Sequence, residues 1–410
     1  MVLDSRRTFA HAYSLDLLYC AYGTVLQKNV DGKHFVVVDV LVCGSLSNQT
    51  ALVSLLASGW NSSTLNRTQN MGTSPPTNIQ RGDMRRMRYL ITGGCGSIGS
   101  ELARQLVARG DEVVIIDNLS GGSLDNIADL EDVAVFTNDI CAPTPLLSSL
   151  VSSVDAVFHL AASLGVKLIL EKPIETMHNN VEGTRLVLEA CAINKTPVLV
   201  ASTSEVYGLS NLIPFQEDDP IVLGPSNKSR WSYANSKLHD EFMALAYMEE
   251  QNVPVIVTRY FNCTGPRQSS RYGMVMPTFI RQALAGEPIT VHGDGSQSRC
   301  FADVRDTVQA TIRLADAEAF GQVVNVGSQN EITIGELARL VKELTGSDSE
   351  IQYIPYDKAY SNGYQDVPRR VPSVDRLRQL TGFVPKTSVA EIIGRTVAWA
   401  VEEKAEEAAV

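Results

Sequence analysis

Cysteine is scarce and scattered: there are seven in 410 residues and no Cys-x-x-Cys pair. That pattern excludes a disulfide framework and a cysteine zinc site, so no metal is expected. It predicts free thiols in a reducing compartment, the cytoplasm. Cations are in the minority, 35 Lys and Arg against 46 Asp and Glu, a net charge of −11. A chain of this sign is poorly suited to nucleic acid, whose recognition rests on clustered cations, and to an anionic membrane surface. Apolar runs long enough to cross a bilayer are missing. The most apolar early stretch, Phe35 to Cys43, is interrupted by Asp39. Arg6 and Arg7 form the twin arginines of an export signal, but Asp16 follows and no small-residue cleavage site does, so no export is expected. Internal repeats and low-complexity tracts are also lacking. What is present is ordinary for a globular protein: 44% hydrophobic and 20% charged residues, at a length that suits two or three domains.

Residues 1–87 differ from the rest. Polar Asn, Ser, Thr and Pro stretches between Gly59 and Asp83 read as a linker, with one strand expected at Val36 to Val42. Met84 and Met87 stand just before the first strong strand, so the segment reads as a disordered extension or a misassigned start. From Arg88 onward, strands are expected at Tyr89–Thr92, Val113–Asp117, Val133–Phe136, Ala156–His159, Val198–Ser202 and Val255–Arg259. Helices are expected at Ile98–Arg109, Thr176–Ile193 and Tyr233–Glu250. This alternation predicts an α/β protein with a doubly wound parallel Rossmann sheet. After Asn262 the elements shorten and prolines multiply. The expected division is residues 88–262 for the dinucleotide domain, residues 263–404 mainly for a smaller substrate-binding α/β domain interleaved with it, and a tail at 405–410.

Gly93-Gly-Cys-Gly96-Ser97-Ile98-Gly99 sits between a strand and a helix. Gly93 permits the tight turn, Gly96 lets a pyrophosphate approach the backbone, and Gly99 lets the helix pack close. The helix N-terminus then offers unpaired N–H groups to the anion. The second strand ends at Asp117-Asn118, where a carboxylate accepts the adenosine ribose hydroxyls and repels a 2′-phosphate, so NAD is expected rather than NADP. Asp139 and Ile140 follow the third strand and are expected at the adenine. His159 ends the fourth strand and reads as a satisfied strand-end histidine; Leu160, Ala161 and Ala162 after it are small enough for backbone to approach a cofactor. Tyr233 and Lys237 lie at i and i+4 on one helical face, the arrangement of a tyrosine base with an ammonium neighbour. Thr203, Ser204 and Glu205 close the strand before them and put hydroxyls beside a reacting oxygen.

Together, in this order, GxxGxxG, Asp117, His159-Leu-Ala-Ala, Asn180-Val-Glu-Gly-Thr184, Ser202-Thr-Ser-Glu-Val-Tyr-Gly208, YxxxK and Arg259-Tyr-Phe-Asn262 resemble an extended short-chain dehydrogenase/reductase of the NAD-dependent nucleotide-sugar epimerase/dehydratase family. The resemblance covers Arg88 to Lys404. It implies a UDP-sugar substrate oxidised at C4 to a 4-keto intermediate, a homodimer, Tyr233 as general base, and Lys237 and Asn180 at the cofactor. It places Asn262 and Arg299 at the substrate diphosphate and Asn325 in the nucleotide pocket. The triplet Thr203-Ser204-Glu205, the stretch Asn227 to Tyr233, and Gly363-Tyr-Gln-Asp366-Val-Pro-Arg-Arg370 are similar to UDP-glucuronate decarboxylases, in which the Glu and the late Arg matching Glu205 and Arg370 belong to the active site. UDP-glucuronate decarboxylation is therefore the leading expectation. 4-Epimerisation of UDP-glucose or UDP-glucuronate is the alternative, since a Glu beside a carboxylate substrate is electrostatically awkward. A non-catalytic NAD-binding regulator is the third reading, disfavoured by the intact YxxxK pair.

Overall fold

The computed structural model describes residues 86–270, 273–359 and 366–409, together with the backbone of two earlier strands. Those are β1 (Ala21–Val30) and β2 (Lys33–Val42), an antiparallel hairpin; the second contains the expected strand at Val36 and is longer. The linker composition between Gly59 and Asp83 and residues 363–365 of the late motif lie outside the described residues.

Six strands follow: β3 (Arg88–Thr92), β4 (Glu112–Asp117), β5 (Ala134–Thr137), β6 (Ala156–His159), β7 (Val198–Thr203) and β8 (Val255–Tyr260). Their sequences are nearly continuous runs of Val, Ile and Leu because helices cover both faces of a parallel sheet. The sheet order is β1-β2-β5-β4-β3-β6-β7-β8 and then Val323–Val326; every pairing from β2 to that last strand is parallel. The order reverses between β3 and β6, where an open α/β sheet forms its ligand crevice.

Alternate residues of each strand serve opposite layers. Ile91 and Ile115 meet Leu102 and Leu106 of α1 (Ser97–Arg109) and Val308 and Ile312 of the helix Val304–Asp316. Leu90 and Val114 face the other layer with Leu150 of α2 (Leu146–Ser152). The same layer contains Val187 and Leu188 of α4 and Ala244 of α5. Here α3 is Val166–Glu171, α4 Pro173–Asn194 and α5 Arg230–Gln251. Each expected strand and helix is present within a few residues of its expected ends.

A second core gathers Met276, Phe279, Ile289, Leu337, Val341 and Ile392 in a smaller lobe. A three-stranded sheet there runs Glu331–Thr333, Ser298–Cys300, Arg369–Arg370. The strand Val323–Val326 is the element that sequence rhythm does not reveal. Only four residues long, it returns from the later half of the chain to pair with β8, and Val324 to Val326 are buried. No helix among the described residues is long and apolar enough to cross a membrane.

Candidate active site

The glycine turn is shaped by close approaches. Gly93 has φ +72°, and a Cβ there would lie 2.8 Å from the backbone of Ala161. A Cβ on Gly99 would lie 2.3 Å from the Gly93 carbonyl, so only glycine lets α1 start where it does. Gly96 is different: its Cβ would meet only the Gly93 carbonyl, at 3.3 Å, which leaves its outer side open for a ligand. As N-cap of α1 it brings no side-chain cap to the helix N–H groups. Ser97 opens the helix with its hydroxyl on the Pro266 carbonyl (3.2 Å), and Ile98 packs against the core beside it.

Asp117 ends β4 beside this turn, and its oxygens accept from the backbone N–H of Cys95 (2.9 Å) and Leu119 (2.8 Å). Burial raises its pKa, opposed by those two bonds. Each carboxylate oxygen keeps room for a second donor, such as a ribose hydroxyl. Asn118 donates to Asp139 (3.1 Å), whose other oxygen accepts from Cys141 N–H, and Ile140 is buried against the second layer. Leu160 and Ala161 are half-buried along the crevice with Ala162, and the Ala161 N–H donates to Thr92 Oγ1. The uncapped helix start, the open side of Gly96 and the carboxylate at the end of β4 fit an NAD-type dinucleotide. NAD is accordingly expected to bind more than about tenfold tighter than NADP, a difference of ~1.4 kcal/mol or more. Calorimetry of the two cofactors checks this, and equal affinity would remove the role given to Asp117.

Thr203 ends β7, and its hydroxyl accepts from the Glu205 N–H (3.2 Å), starting the single 3₁₀ turn Ser204–Tyr207. The same hydroxyl bonds Tyr233, so the strand end and the first turn of α5 meet at the phenol. Burial pushes the Tyr233 pKa above its ordinary value, the Glu205 charge adds to that, and the Thr203 bond opposes it. Lys237, one turn on, is buried and pairs with Asp240 at 2.8 Å. His159 is enclosed between Thr92 Oγ1 (2.8 Å) and Thr184 Oγ1 (3.1 Å). Burial and the nearby Lys237 lower its pKa to about 3, so the ring stays neutral. Asn180 is also buried: it accepts from Ser163 N–H (2.7 Å) and donates to Ser236 Oγ (3.2 Å), tying α4 to the loop after β6 and to α5.

Beyond Tyr233 stands a cluster of three guanidiniums. The pairing of Ser298–Cys300 with Arg369–Arg370 sets Arg299 directly beside Arg370. Arg370 donates to Glu205 (2.6 Å) and approaches Ser204 Oγ (3.4 Å). Arg230 donates to Glu205 from the other side (3.0 Å), and Arg299 to Asp366 (2.8 Å). Burial alone would raise the Glu205 pKa; Arg370, Arg230 and Arg299 overcome it and hold the carboxyl at about 2. For Arg299, burial and then Arg370 lower the pKa to about 10. Sequence reading gave Arg230 and Asp366 no role, although Arg230 stands three residues before Tyr233 and therefore on its helical face.

The two expected asparagines differ. Asn262, at φ +36°, is partly buried just after β8 and gives its amide to the Cys300 carbonyl (2.9 Å). Asn325 does not reach the crevice. It is fully buried, accepts from Tyr207 Oη (2.7 Å) and donates to the carbonyls of Phe215 and Ser373. A side chain with every polar atom engaged inside the protein has nothing left for a nucleotide.

A family model described as GDP-mannose 4,6 dehydratase matches residues 90–396. The chain is 42% identical over 314 residues to a UDP-N-acetyl-alpha-D-glucosaminuronate decarboxylase of Bacillus cytotoxicus, covering 76% of this chain and 97% of that protein. It is 35% identical over 320 residues to UDP-glucuronic acid decarboxylase 1 of Xenopus tropicalis, covering 76% and 72%. Among solved structures, the UDP-glucuronic acid 4-epimerase of Bacillus cereus, in complex with UDP-glucuronic acid and NAD, is 26% identical. It has a TM-score of 0.70 and covers 77% of this chain and 100% of that one.

Proposed function

This chain belongs to the nucleotide-sugar epimerase/dehydratase family of extended short-chain dehydrogenases/reductases, and we propose that it is an NAD-dependent UDP-uronate decarboxylase. The observation that carries this reading is the charge around Glu205. Three guanidiniums, Arg230, Arg299 and Arg370, stand against two carboxylates, Glu205 and Asp366. The site keeps one positive charge, so Glu205 does not repel a uronate. This charge balance supports a uronate substrate over the electrostatic objection to one.

NAD, when bound, supplies the acceptor and later the donor of the C4 hydride. The chain's residues do the rest. Tyr233 takes the proton of the C4 hydroxyl while Thr203 holds the phenol oxygen in place. The uronate carboxylate rests among the guanidiniums, Arg370 foremost, since planar guanidinium suits bidentate carboxylate binding. Once C4 is a ketone, the carboxylate is β to it. The C5–carboxylate bond breaks, its electron pair enters the ketone system, and CO2 departs; the enolate left behind takes a proton at C5, and return of the hydride to C4 and of the Tyr233 proton to its oxygen restores the hydroxyl.

Mass spectrometry of products decides the reading. UDP-glucuronate or UDP-N-acetylglucosaminuronate is expected to yield a UDP-sugar lighter by one CO2. An isobaric isomer instead, from a uronate or from UDP-glucose, makes the enzyme an epimerase, and no conversion of any of the three rejects both. We assign the chain also to a cytoplasmic homodimer built on α4 and α5. Ile174 on α4, 80% exposed, and Phe242 on α5, 68% exposed, support an apolar contact there.

A further inference from the structure

Arg259 opens the run that ends at Asn262, yet no step above uses it. It is the last residue but one of β8. Its partner in register is Ser202, the last but one of β7. Both therefore project from one face of the sheet, the face on which Ala244 of α5 packs with Val200 and Val257. Glu241 stands on α5 four residues after Lys237 and eight after Tyr233, on the helical face they share. Its carboxylate accepts from Ser202 Oγ and from Nη2 (2.7 Å) and Nε (3.0 Å) of Arg259. Nη1 of the same guanidinium donates to the Glu217 carbonyl (3.0 Å), and the group lies over the Tyr207 ring, 4.8 Å from its centre. Ser202, Tyr207, Glu241 and Arg259 are all buried. Stability does not call for such an ion pair, because well-packed apolar residues of similar volume often do as well in its place. What distinguishes the pair is where it grips.

The turn Ser204–Tyr207 carries Ser204 and Glu205, and Thr203 stands at its start. Glu241 holds Ser202, the residue before Thr203, and Arg259 covers Tyr207, the residue that ends the turn. We propose that Glu241 and Arg259 are positioning residues that hold this turn at both ends and fix α5 against it. The Thr203 hydroxyl then meets the Tyr233 phenol, and the Glu205 carboxylate meets Arg230 and Arg370, in one arrangement. The pair adds no group to the reaction. It acts through Ser202 and Thr203 on one side and through the shared helix on the other. The inference rests on the reading of Tyr233 as the base.

The test uses the full chain with NAD bound. Glu241→Leu combined with Arg259→Met removes both charges, keeps most of the volume and leaves no buried ion unpaired. This double variant is expected to melt close to the wild type and to bind NAD with unchanged affinity. Reduction of the cofactor is followed by rapid mixing with whichever UDP-sugar the wild type oxidises. It should slow by about 10²-fold, the cost of a misplacement of about 1 Å at the reacting groups. The loss should fall on kcat and leave KM near its wild-type value, since an alignment made in the transition state is what disappears. In the Tyr233→Phe background the same double substitution should slow the reaction little further, because without the phenol there is no alignment left to lose. If the double variant does not fold, Ser202→Ala carries the test. It unties the start of the turn, leaves the ion pair whole, and should slow the same step about tenfold, the worth of one hydrogen bond to a charged group. Wild-type oxidation in the folded double variant or in Ser202→Ala would overturn the inference. So would a loss of NAD affinity that matches the loss of rate, or losses that multiply in full with Tyr233→Phe. Normal oxidation in Tyr233→Phe alone strikes the base itself. Normal oxidation by the wild type without release of CO2 refutes the decarboxylase reading alone.

Discussion

Tyr233→Phe is expected to slow UDP-uronate turnover by about 10²–10⁴-fold, the usual contribution of a positioned general base. The substitution removes one oxygen. Thr203 loses a partner but still accepts the Glu205 N–H, so the turn Ser204–Tyr207 keeps its start. The glycine turn, Asp117 and Lys237 are untouched, so NAD affinity and melting temperature should stay near wild-type values. Steady-state turnover beside a cofactor-binding isotherm makes the separation. Normal turnover in this variant would falsify the assignment of the base, and with it the chemistry built on α5. A collapse of folding or of NAD binding would show instead that the phenol is a structural group.

Arg370→Ala acts on a later event. The residue touches Glu205 and Ser204 and stands beside Arg299. Oxidation at C4 should therefore persist, and reduced cofactor should accumulate as a transient absorbance with UDP-glucuronate. CO2 release should fall by about 10²-fold, the cost of leaving the carboxylate without the guanidinium that orients it beside the ketone. Glu205 still pairs with Arg230, which keeps the site folded. Rapid-mixing absorbance alongside CO2 capture reads both events. Unchanged CO2 release would make Arg370 a structural partner of Glu205 with no part in the reaction.

Much of this was legible in the sequence. Near-continuous Val and Ile runs between glycines have few solutions other than buried parallel strands, so β3 to β8 could be placed within a residue or two. The glycine turn was equally clear, because Gly93 and Gly99 answer to local close approaches. Pairing between distant segments was not legible. Val323–Val326 is separated from β8 by much of the second lobe, so its place in the large sheet rests on a distant pairing, and nothing in Asn325 itself shows that Tyr207, Phe215 and Ser373 will consume its amide. Nor does spacing reveal the partner of Lys237: Asp240 is one turn away on the same face, yet an i, i+3 pair is most often a solvated one, and only burial makes it consequential.

The passage of the chain between the lobes limits what a partly folded molecule can do. The glycine turn, Asp117, Tyr233, Glu205 and Arg230 belong to the large sheet and its helices. Arg299 and Arg370 belong to the three-stranded sheet of the other lobe, and between them the chain goes back to complete the large sheet at Val323–Val326. The two lobes are stitched together and cannot mature one after the other as independent modules. Cofactor recognition draws on segments close in sequence, whereas the guanidinium cluster draws on segments far apart in it. The guanidinium cluster therefore exists only when segments from both sides of Val323–Val326 have come together.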